Sequence, residues 1–286
     1  MKVSHRLEAG LVVAIGALVR ILPERVAQGM GAGLGWFVGA ILRLRRRTVE
    51  ENLRIAFPEW SEDERRTVAL DAYRHLGREG IALLRLGALS ADELRARTEI
   101  DGWEHVEAAM EGGRGAILLT GHLGNWEVGG AAIALRGVPL DVVGKAQSNP
   151  LFDRRIRTMR EGFGMRPIYR HEATRPLLKG LREGRAAALV ADQNVRSGGV
   201  FIPFFGKEAA TARGPGVLST RTGAPPIFVA VHRLPGSRAR YQLTIRPIEA
   251  EGEVAILEGY HSLLEAAIRE APDQYFWFHR RWKTRP

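Results

Sequence analysis

The segment GHLGNWE, at residues 121–127, contains the side chains best suited to chemistry in this chain. His122 and Glu127 stand five positions apart. A carboxylate that accepts from one imidazole nitrogen fixes the tautomer and leaves the other nitrogen as a general base near neutral pH. On a continuous helix, five positions rotate two side chains about 140° apart, so they would not share a face. We therefore predict that His122 lies in a turn, before the helix that carries Glu127, where the two can meet.

Other chemistries for this histidine have less support. A His–Glu pair at this spacing also arises by chance, so only the surrounding elements distinguish a site from a coincidence. The chain has no HExxH pattern and no second histidine at ligand spacing, so we expect no metal and no cofactor. It also has no cysteine and no GxSxG elbow, so a covalent enzyme intermediate is not required.

The apolar run GAILLT, at 115–120, predicts a buried strand that delivers His122 to its carboxyl end. In α/β folds, ligands and catalytic groups collect at such strand ends, and a helix that starts near Gly124 or Asn125 would present its positive end there. Further short apolar runs follow at 139–144, 186–191 and 226–231. They alternate with amphipathic stretches at 149–163, 173–183 and 253–270. This alternation predicts an α/β domain in which helices flank a mixed or parallel sheet.

Several polar residues are secondary candidates, each with a structural alternative. Asn125 can cap the helix after the motif or hydrogen-bond a substrate. Asp192 and Gln193 follow the run at 186–191, so they can position a substrate at a strand end or brace a loop. Arg154 or its neighbour can hold a phosphate or carboxylate, or belong to a solvated basic helix. Arg213 is a candidate for an anionic head group.

The charge of the chain implies an anionic partner. Its 286 residues carry a net charge of +10, with 45% hydrophobic and 26% charged residues, which is ordinary globular composition. Residues 1–47 contain eight basic residues, Lys2 among them, and only two acidic ones. This charge adjoins apolar sequence, and no nucleic-acid-binding motif is present, so a membrane surface is favoured. A basic nucleic-acid-binding protein is the alternative from another class.

Two apolar stretches near the amino terminus, 10–22 and 26–42, each fall short of the roughly 20 residues that a spanning helix needs. A spanning or re-entrant anchor, an interfacial helix pair and an ordinary buried helix all remain open. Gly31, Gly35 and Gly39 recur every four residues, which predicts a stripe where another helix approaches closely. The sequence RLRRR follows at 43–47 and suits anionic head groups on the cytoplasmic side.

These observations predict a membrane-associating helical segment over residues 1–47 and an α/β domain over residues 48–286. Residues 48–97 have a helical pattern. Ser61 with Glu64, and Ser90 with Glu93, each match a capping box. The helix that begins near Ser61 is expected to turn one face inward, made of Ala69, Tyr73, Leu76 and Gly80.

The motif GHLGNWE resembles the H-x4-D/E signature of glycerolipid-type acyltransferases, and the wider chain resembles the lipid A biosynthesis lauroyl/myristoyl acyltransferase family. Five further blocks carry the resemblance, in the order of that family and over roughly residues 43–284. They are RRRTVEENLRIAFPEW, SNPLFDRRIRTMREGFG, ADQNVRSGGVFIPFFGKEAAT, LSTRTGAPPIFVAV and APDQYFWFHRRWK. Together they form a specific signal, whereas each block alone is modest.

The resemblance implies a glycerolipid-acyltransferase-like fold in which His122 is the general base and Glu127 is its carboxylate partner. It implies transfer of a fatty acyl chain from an acyl carrier protein or CoA thioester to a glycolipid hydroxyl, such as that of a lipid A precursor. A phosphatidylinositol mannoside or a lysophospholipid is the alternative acceptor. It favours Arg154, Asp192 and Gln193 as substrate contacts. A monomer at the cytoplasmic face of the bacterial inner membrane, with no nucleic acid partner, is the resulting expectation.

Overall fold

The computed structural model describes residues 3–286, apart from the side chains of Val3, Ser4 and Leu7. Lys2, part of the predicted basic end, lies outside the described residues. The helices are α1 (Val3–Ile21), α2 (Glu24–Ala40), α3 (Arg46–Ala56), α4 (Glu62–Leu86), α5 (Ala91–Arg95), α6 (Trp103–Glu111), α7 (Trp126–Ala134), α8 (Pro150–Gly162), α9 (Thr174–Arg182), α10 (Gly214–Thr222) and α11 (Glu253–Glu270). The strands are β1 (Thr98–Asp101), β2 (Ala116–Thr120), β3 (Leu140–Gly144), β4 (Arg166–Tyr169), β5 (Ala186–Val190), β6 (Gly199–Phe204), β7 (Lys207–Ala212), β8 (Pro226–Arg233) and β9 (Tyr241–Pro247).

A seven-stranded sheet in the order β1-β9-β8-β2-β5-β3-β4 lies at the centre of the fold. All neighbouring strands are parallel except β8 and β9, which are antiparallel. Each of the four apolar runs forms a strand, because strands covered by helices on both faces need apolar side chains throughout. The predicted mixed sheet flanked by helices is confirmed. Strands β6 and β7 form a separate antiparallel pair.

Both predicted capping boxes are present. The Ser61 hydroxyl accepts from the backbone N–H of Glu64, and the backbone N–H of Ser61 donates to the Glu64 carboxylate. Ser61 therefore caps the start of α4. Ser90 starts α5 in the same way. The predicted inward face of α4 is only half correct. Its Ala69 and Tyr73 are buried, whereas Leu76 and Gly80 are exposed because no helix covers them.

The predicted glycine stripe of α2 is confirmed, and its partner is α4. A methyl group built on Gly35 would fall inside van der Waals distance of the backbone oxygen of Tyr73. One built on Gly31 would lie 2.6 Å from the backbone oxygen of Gly77, and one on Gly39 would lie 2.5 Å from the Tyr73 ring. The two helices can therefore approach at this distance only because no side chains separate them.

The outer faces of α1 and α2 are apolar and exposed. The exposed fractions are 62% for Leu11, 51% for Leu18, 60% for Leu34 and 44% for Phe37. These helices are therefore not ordinary buried helices. Within residues 3–286, no helix has the length and apolar character needed to cross a bilayer. The division of the chain at residue 47 stays a prediction, since α1 and α2 both pack on α4.

We expect Gly35→Ala to lower the stability of the fold and Gly33→Ala to preserve or raise it. Overpacking a tight interface costs about 1–3 kcal/mol. A methyl group on the exposed Gly33 meets nothing within 4 Å and removes the entropic cost of a helical glycine. Thermal unfolding of both variants provides the measurement. Equal melting temperatures would contradict the role of the stripe.

Candidate active site

The sheet brings His122 and Asp192 together. Strands β2 and β5 are parallel neighbours, and Thr120 stands opposite Val190 where both strands end. Two residues beyond its end, β2 leads to His122, and β5 likewise leads to Asp192. Two polar side chains thus meet at the carboxyl ends of adjacent strands, the position where α/β folds place ligand and catalytic groups.

The two side chains form a buried hydrogen-bonded pair. Nδ1 of His122 lies 2.6 Å from one carboxylate oxygen of Asp192, and the backbone N–H of His122 donates to the other oxygen at 2.8 Å. Asp192 is only 2% exposed. Because an ionised carboxylate can only accept, Nδ1 carries the proton and Nε2 keeps its lone pair. The side-chain amide of Gln193 lies 3.3 Å from Nε2, which fits an N–H that points at that lone pair.

The pair changes the pKa of both groups. Burial alone lowers the pKa of His122, but the adjacent Asp192 charge and its hydrogen bond outweigh burial and raise it. Burial raises the pKa of Asp192, and the His122 charge with its hydrogen bonds lowers it to about 2. Asp192 is therefore ionised throughout the physiological range. It stabilises the protonated imidazole, as the partner of a general base must do.

The expected contact between Glu127 and His122 is wrong in this structure. Glu127 instead forms a two-pronged ion pair with Arg160 of α8, in which Nε donates to one carboxylate oxygen at 2.9 Å and Nη2 donates to the other. Both side chains are largely buried, and the charge of Glu127 raises the pKa of Arg160 against the effect of burial. A planar guanidinium matches a carboxylate better than an imidazole does, so Glu127 is held at the start of α7 facing α8.

The turn between His122 and α7 has its predicted form. Gly124 has φ +56°, and a side chain there would collide with the backbone oxygen of Val231. Asn125 is the helix cap, because its side-chain oxygen accepts from the N–H of Val128 at 3.2 Å. Its amide donates to Glu79 at 2.8 Å. Asn125 is thus occupied by structural bonds rather than free for a substrate.

A buried charge network lies beneath the turn. Glu79 of α4 accepts from Arg233 of β8 at 2.7 Å and from the Tyr241 hydroxyl of β9 at 2.7 Å, besides Asn125. Both members of the Glu79–Arg233 ion pair are less than a tenth exposed. A buried carboxylate is tolerated only when its lone pairs are satisfied, so this network fixes α4 relative to the turn.

The carboxyl-terminal segment, residues 272–284, straps the turn that carries His122. The sequence did not reveal this contact. The backbone N–H of Phe276 donates to the His122 carbonyl at 2.9 Å, and that of Gly124 donates to the Gln274 carbonyl at 3.0 Å. Arg281 anchors this strap. It is 2% exposed and donates to the backbone oxygen of Ala210 at 2.8 Å. The terminal aromatic and basic block therefore holds the backbone of His122.

A cavity of about 710 Å³ opens beside His122. Its walls come from β2, β3, β5 and helices α7 to α10, and most of its lining is aliphatic. Leu118, Thr120 and His122 alternate along the β2 backbone, so all three point into it. Leu118 stands opposite Ala188 in β5, which places both about 13 Å along the strand from His122. The space is a deep apolar pocket with a polar mouth.

Two predicted arginines do not reach this cavity. Arg154 is exposed on α8, while Arg157 and Arg160 of the same helix line the cavity. Arg160 follows Arg154 by six positions on this helix, which leaves their side chains about 120° apart. Arg213 donates to Glu253 at 2.5 Å, and the cavity is lined there by the adjacent Ala212. Arg160 carries no sequence signal beyond its place in the same block as Arg154.

Comparisons with known proteins agree with one another. The sequence model of a family described as bacterial lipid A biosynthesis acyltransferase matches residues 2–284. The chain is 30% identical to a lipid A biosynthesis lauroyltransferase of Escherichia coli, over 94% of this chain and 89% of that protein. It is 26% identical to a lipid A biosynthesis myristoyltransferase of the same organism, over 97% and 87%. It is also 30% identical to a phosphatidylinositol mannoside acyltransferase of Mycolicibacterium smegmatis, over 72% and 69%.

We expect Asp192→Asn to lower the pKa of His122 below its ordinary value, because the raising charge is lost while burial remains. Glu127→Gln should leave the titration of His122 nearly unchanged, since Glu127 is paired with Arg160. NMR titration of the imidazole carbon-bound protons measures both. The assignment of the pair would be wrong if Glu127→Gln shifted the titration and Asp192→Asn did not.

Proposed function

Because the chain belongs to the bacterial lipid A biosynthesis acyltransferase family and is an acyltransferase, we propose that it moves a fatty acyl chain from a thioester of acyl carrier protein or CoA to a glycolipid hydroxyl, with His122 as general base. The observation that carries the proposal is the buried His122–Asp192 pair at the mouth of the deep apolar cavity. A base and a place for a long apolar chain are the two requirements of this reaction.

The reaction needs one proton relay. Nε2 of His122 takes the proton of the acceptor hydroxyl as its oxygen adds to the thioester carbonyl, while Asp192 stabilises the imidazolium. The carbon–sulfur bond then breaks, and the imidazolium returns the proton to the departing thiolate. The ester and the free thiol are the products. The amino-terminal amides of α7 suit the transient oxyanion, because they lie in the turn that carries His122.

The donor chain fits the large cavity. Its aliphatic lining runs along β2 and β5 for about 13 Å from His122 to Leu118 and Ala188. A thioester carbonyl at the mouth would stand next to His122 with its chain in this pocket. Glu127 acts through Arg160 here: the pair forms part of the polar mouth and fixes α7 against α8. Glu127 is thus a positioning residue.

The names of the three relatives indicate which class of acceptor to propose. Two of them are named for lipid A biosynthesis and one for phosphatidylinositol mannoside. A glycolipid acceptor covers both classes, and we propose the lipid A precursor because the family description names that pathway.

The pKa of His122 also determines how transfer depends on pH. Because this pKa is raised, we expect the rate of transfer to fall as the pH drops through the pKa, since a protonated imidazole cannot accept the hydroxyl proton.

We expect His122→Ala to abolish transfer, with a loss of at least about a hundredfold, the lower range for general acid–base catalysis. The matched control is His171→Ala, which removes an imidazole that is exposed on the surface. The assay incubates palmitoyl-CoA or palmitoyl-ACP with lipid A precursor and detects the added acyl chain by mass spectrometry. Full activity of His122→Ala in a folded protein would remove the proposal.

The exposed apolar faces of α1 and α2 suit the surface of an anionic bilayer. Leu34, Phe37 and Leu42 are between 44% and 60% exposed, and Arg43 and Arg45 stand exposed just beyond them. Apolar side chains that enter the acyl region, flanked by cations for anionic head groups, are the ordinary means of peripheral binding. This arrangement supports the proposed placement at the cytoplasmic face of the inner membrane, where a lipid acceptor is within reach.

Replacing Leu34, Phe37 and Leu42 together by Ser should weaken binding to phosphatidylglycerol vesicles roughly tenfold or more, since each buried apolar side chain contributes about 1 kcal/mol or more. Val254→Ser is the control, because Val254 is 44% exposed but lies on α11. Vesicle sedimentation at two salt concentrations measures the binding. Unchanged binding of the triple variant would contradict this surface.

A further inference from the structure

A second opening reaches His122 from the other side of Trp126. This cleft has a volume of about 140 Å³. It lies between α4, the turn that carries His122 and the carboxyl-terminal strap. Its walls include Leu76, Leu83, Phe276 and Phe278. The surface that it offers is therefore mainly apolar, and its floor is the base proposed for the reaction.

The cleft and the large cavity share a short wall. His122, Trp126, Glu127 and Leu83 line both spaces. The Trp126 ring meets the His122 ring edge to face, with 4.6 Å between their centroids. Two substrates must meet at one imidazole, and the donor chain occupies the larger space. The cleft thus reaches the same imidazole from a space that the donor chain does not fill.

Gly80 faces the cleft without a packing partner. It lies in the interior of α4, where glycine costs about 0.5–1 kcal/mol relative to alanine. Its neighbour Gly77 has a packing reason, because a side chain there would strike the backbone of Gly31. Gly80 has none of this kind, since a methyl group built on it meets nothing within 4 Å. Leu76, about one turn earlier on α4, also lines the cleft and is 41% exposed.

Three polar side chains of the cleft are already hydrogen-bonded, whereas the buried Nε2 of His75, which also lines the cleft, has no hydrogen-bond partner among the described residues. Glu79 and Asn125 hydrogen-bond to each other, and the Gln274 side chain exchanges hydrogen bonds with the backbone of Arg233. A sugar ring needs several free donors and acceptors, and Glu79, Asn125 and Gln274 are bound elsewhere. An alkyl chain needs only apolar walls.

We propose that this cleft binds an alkyl chain of the acceptor lipid, which brings the hydroxyl of that lipid to Nε2 of His122. The inference rests on the proposed function for the identity of the reaction, and it adds where the acceptor binds and by which part. The contacts that recognise the acceptor next to its reacting hydroxyl are then apolar. The polar head group of the acceptor lies outside the cleft.

Photocrosslinking of an alkyl probe tests the cleft without requiring transfer. The probe is dodecyl β-glucoside with a diazirine in its chain, and the large cavity is first filled with hexadecyl-CoA thioether, which has no carbonyl to react. In the wild-type protein, peptide mass spectrometry should place the adducts on residues 72–83 and 274–278. Gly80→Leu, which fills the cleft, should reduce these adducts at least fivefold.

Two variants serve as controls. Gly80→Ala adds one methyl group to open space, so it should retain the adducts and show that α4 tolerates substitution. Ala188→Phe obstructs the deep end of the large cavity, so it should weaken binding of hexadecyl-CoA thioether in calorimetry, which Gly80→Leu should leave unchanged. Adducts that persist in Gly80→Leu, or that fall only on residues 118–142 and 186–190, would overturn the inference. A failure of the proposed function would appear separately, as transfer by His122→Ala.

Discussion

The hydrogen bond between the His122 imidazole and the buried Asp192 carboxylate is the interaction on which the rest of the site depends. It exists because β2 and β5 are parallel neighbours that end in register, at Thr120 and Val190. A carboxylate that is 2% exposed would be costly without a partner, and the imidazole with its backbone N–H supplies two hydrogen bonds. The same contact sets the tautomer, so stability and chemistry are served by one geometry.

Two long-range supports hold the backbone of His122. The carboxyl-terminal strap bonds to the carbonyl of His122 and to the N–H of Gly124, and it is anchored by Arg281. From below, Glu79 fixes the α7 cap through Asn125. One support comes from the carboxyl-terminal segment and the other from α4, so both are distant in sequence from the turn. A short motif thus requires nearly the full chain to position it.

Small residues decide which spaces remain open and which close. Gly35 lets α2 lie directly on α4. Gly80, also on α4, instead faces empty space beside the turn that carries His122.

The sequence by itself determined the local features: the strand ahead of His122, the Asn125 cap, the two serine capping boxes and the close approach at Gly35. Each depends on residues near in sequence or on a repeat of fixed spacing, and family-like blocks added the class of reaction. Only the tertiary structure decided that Asp192, rather than Glu127, contacts His122, and that Arg160 rather than Arg154 faces the cavity. The physical reason is that strand order and helix rotation bring together residues about 70 positions apart, and no local periodicity encodes which strands become neighbours.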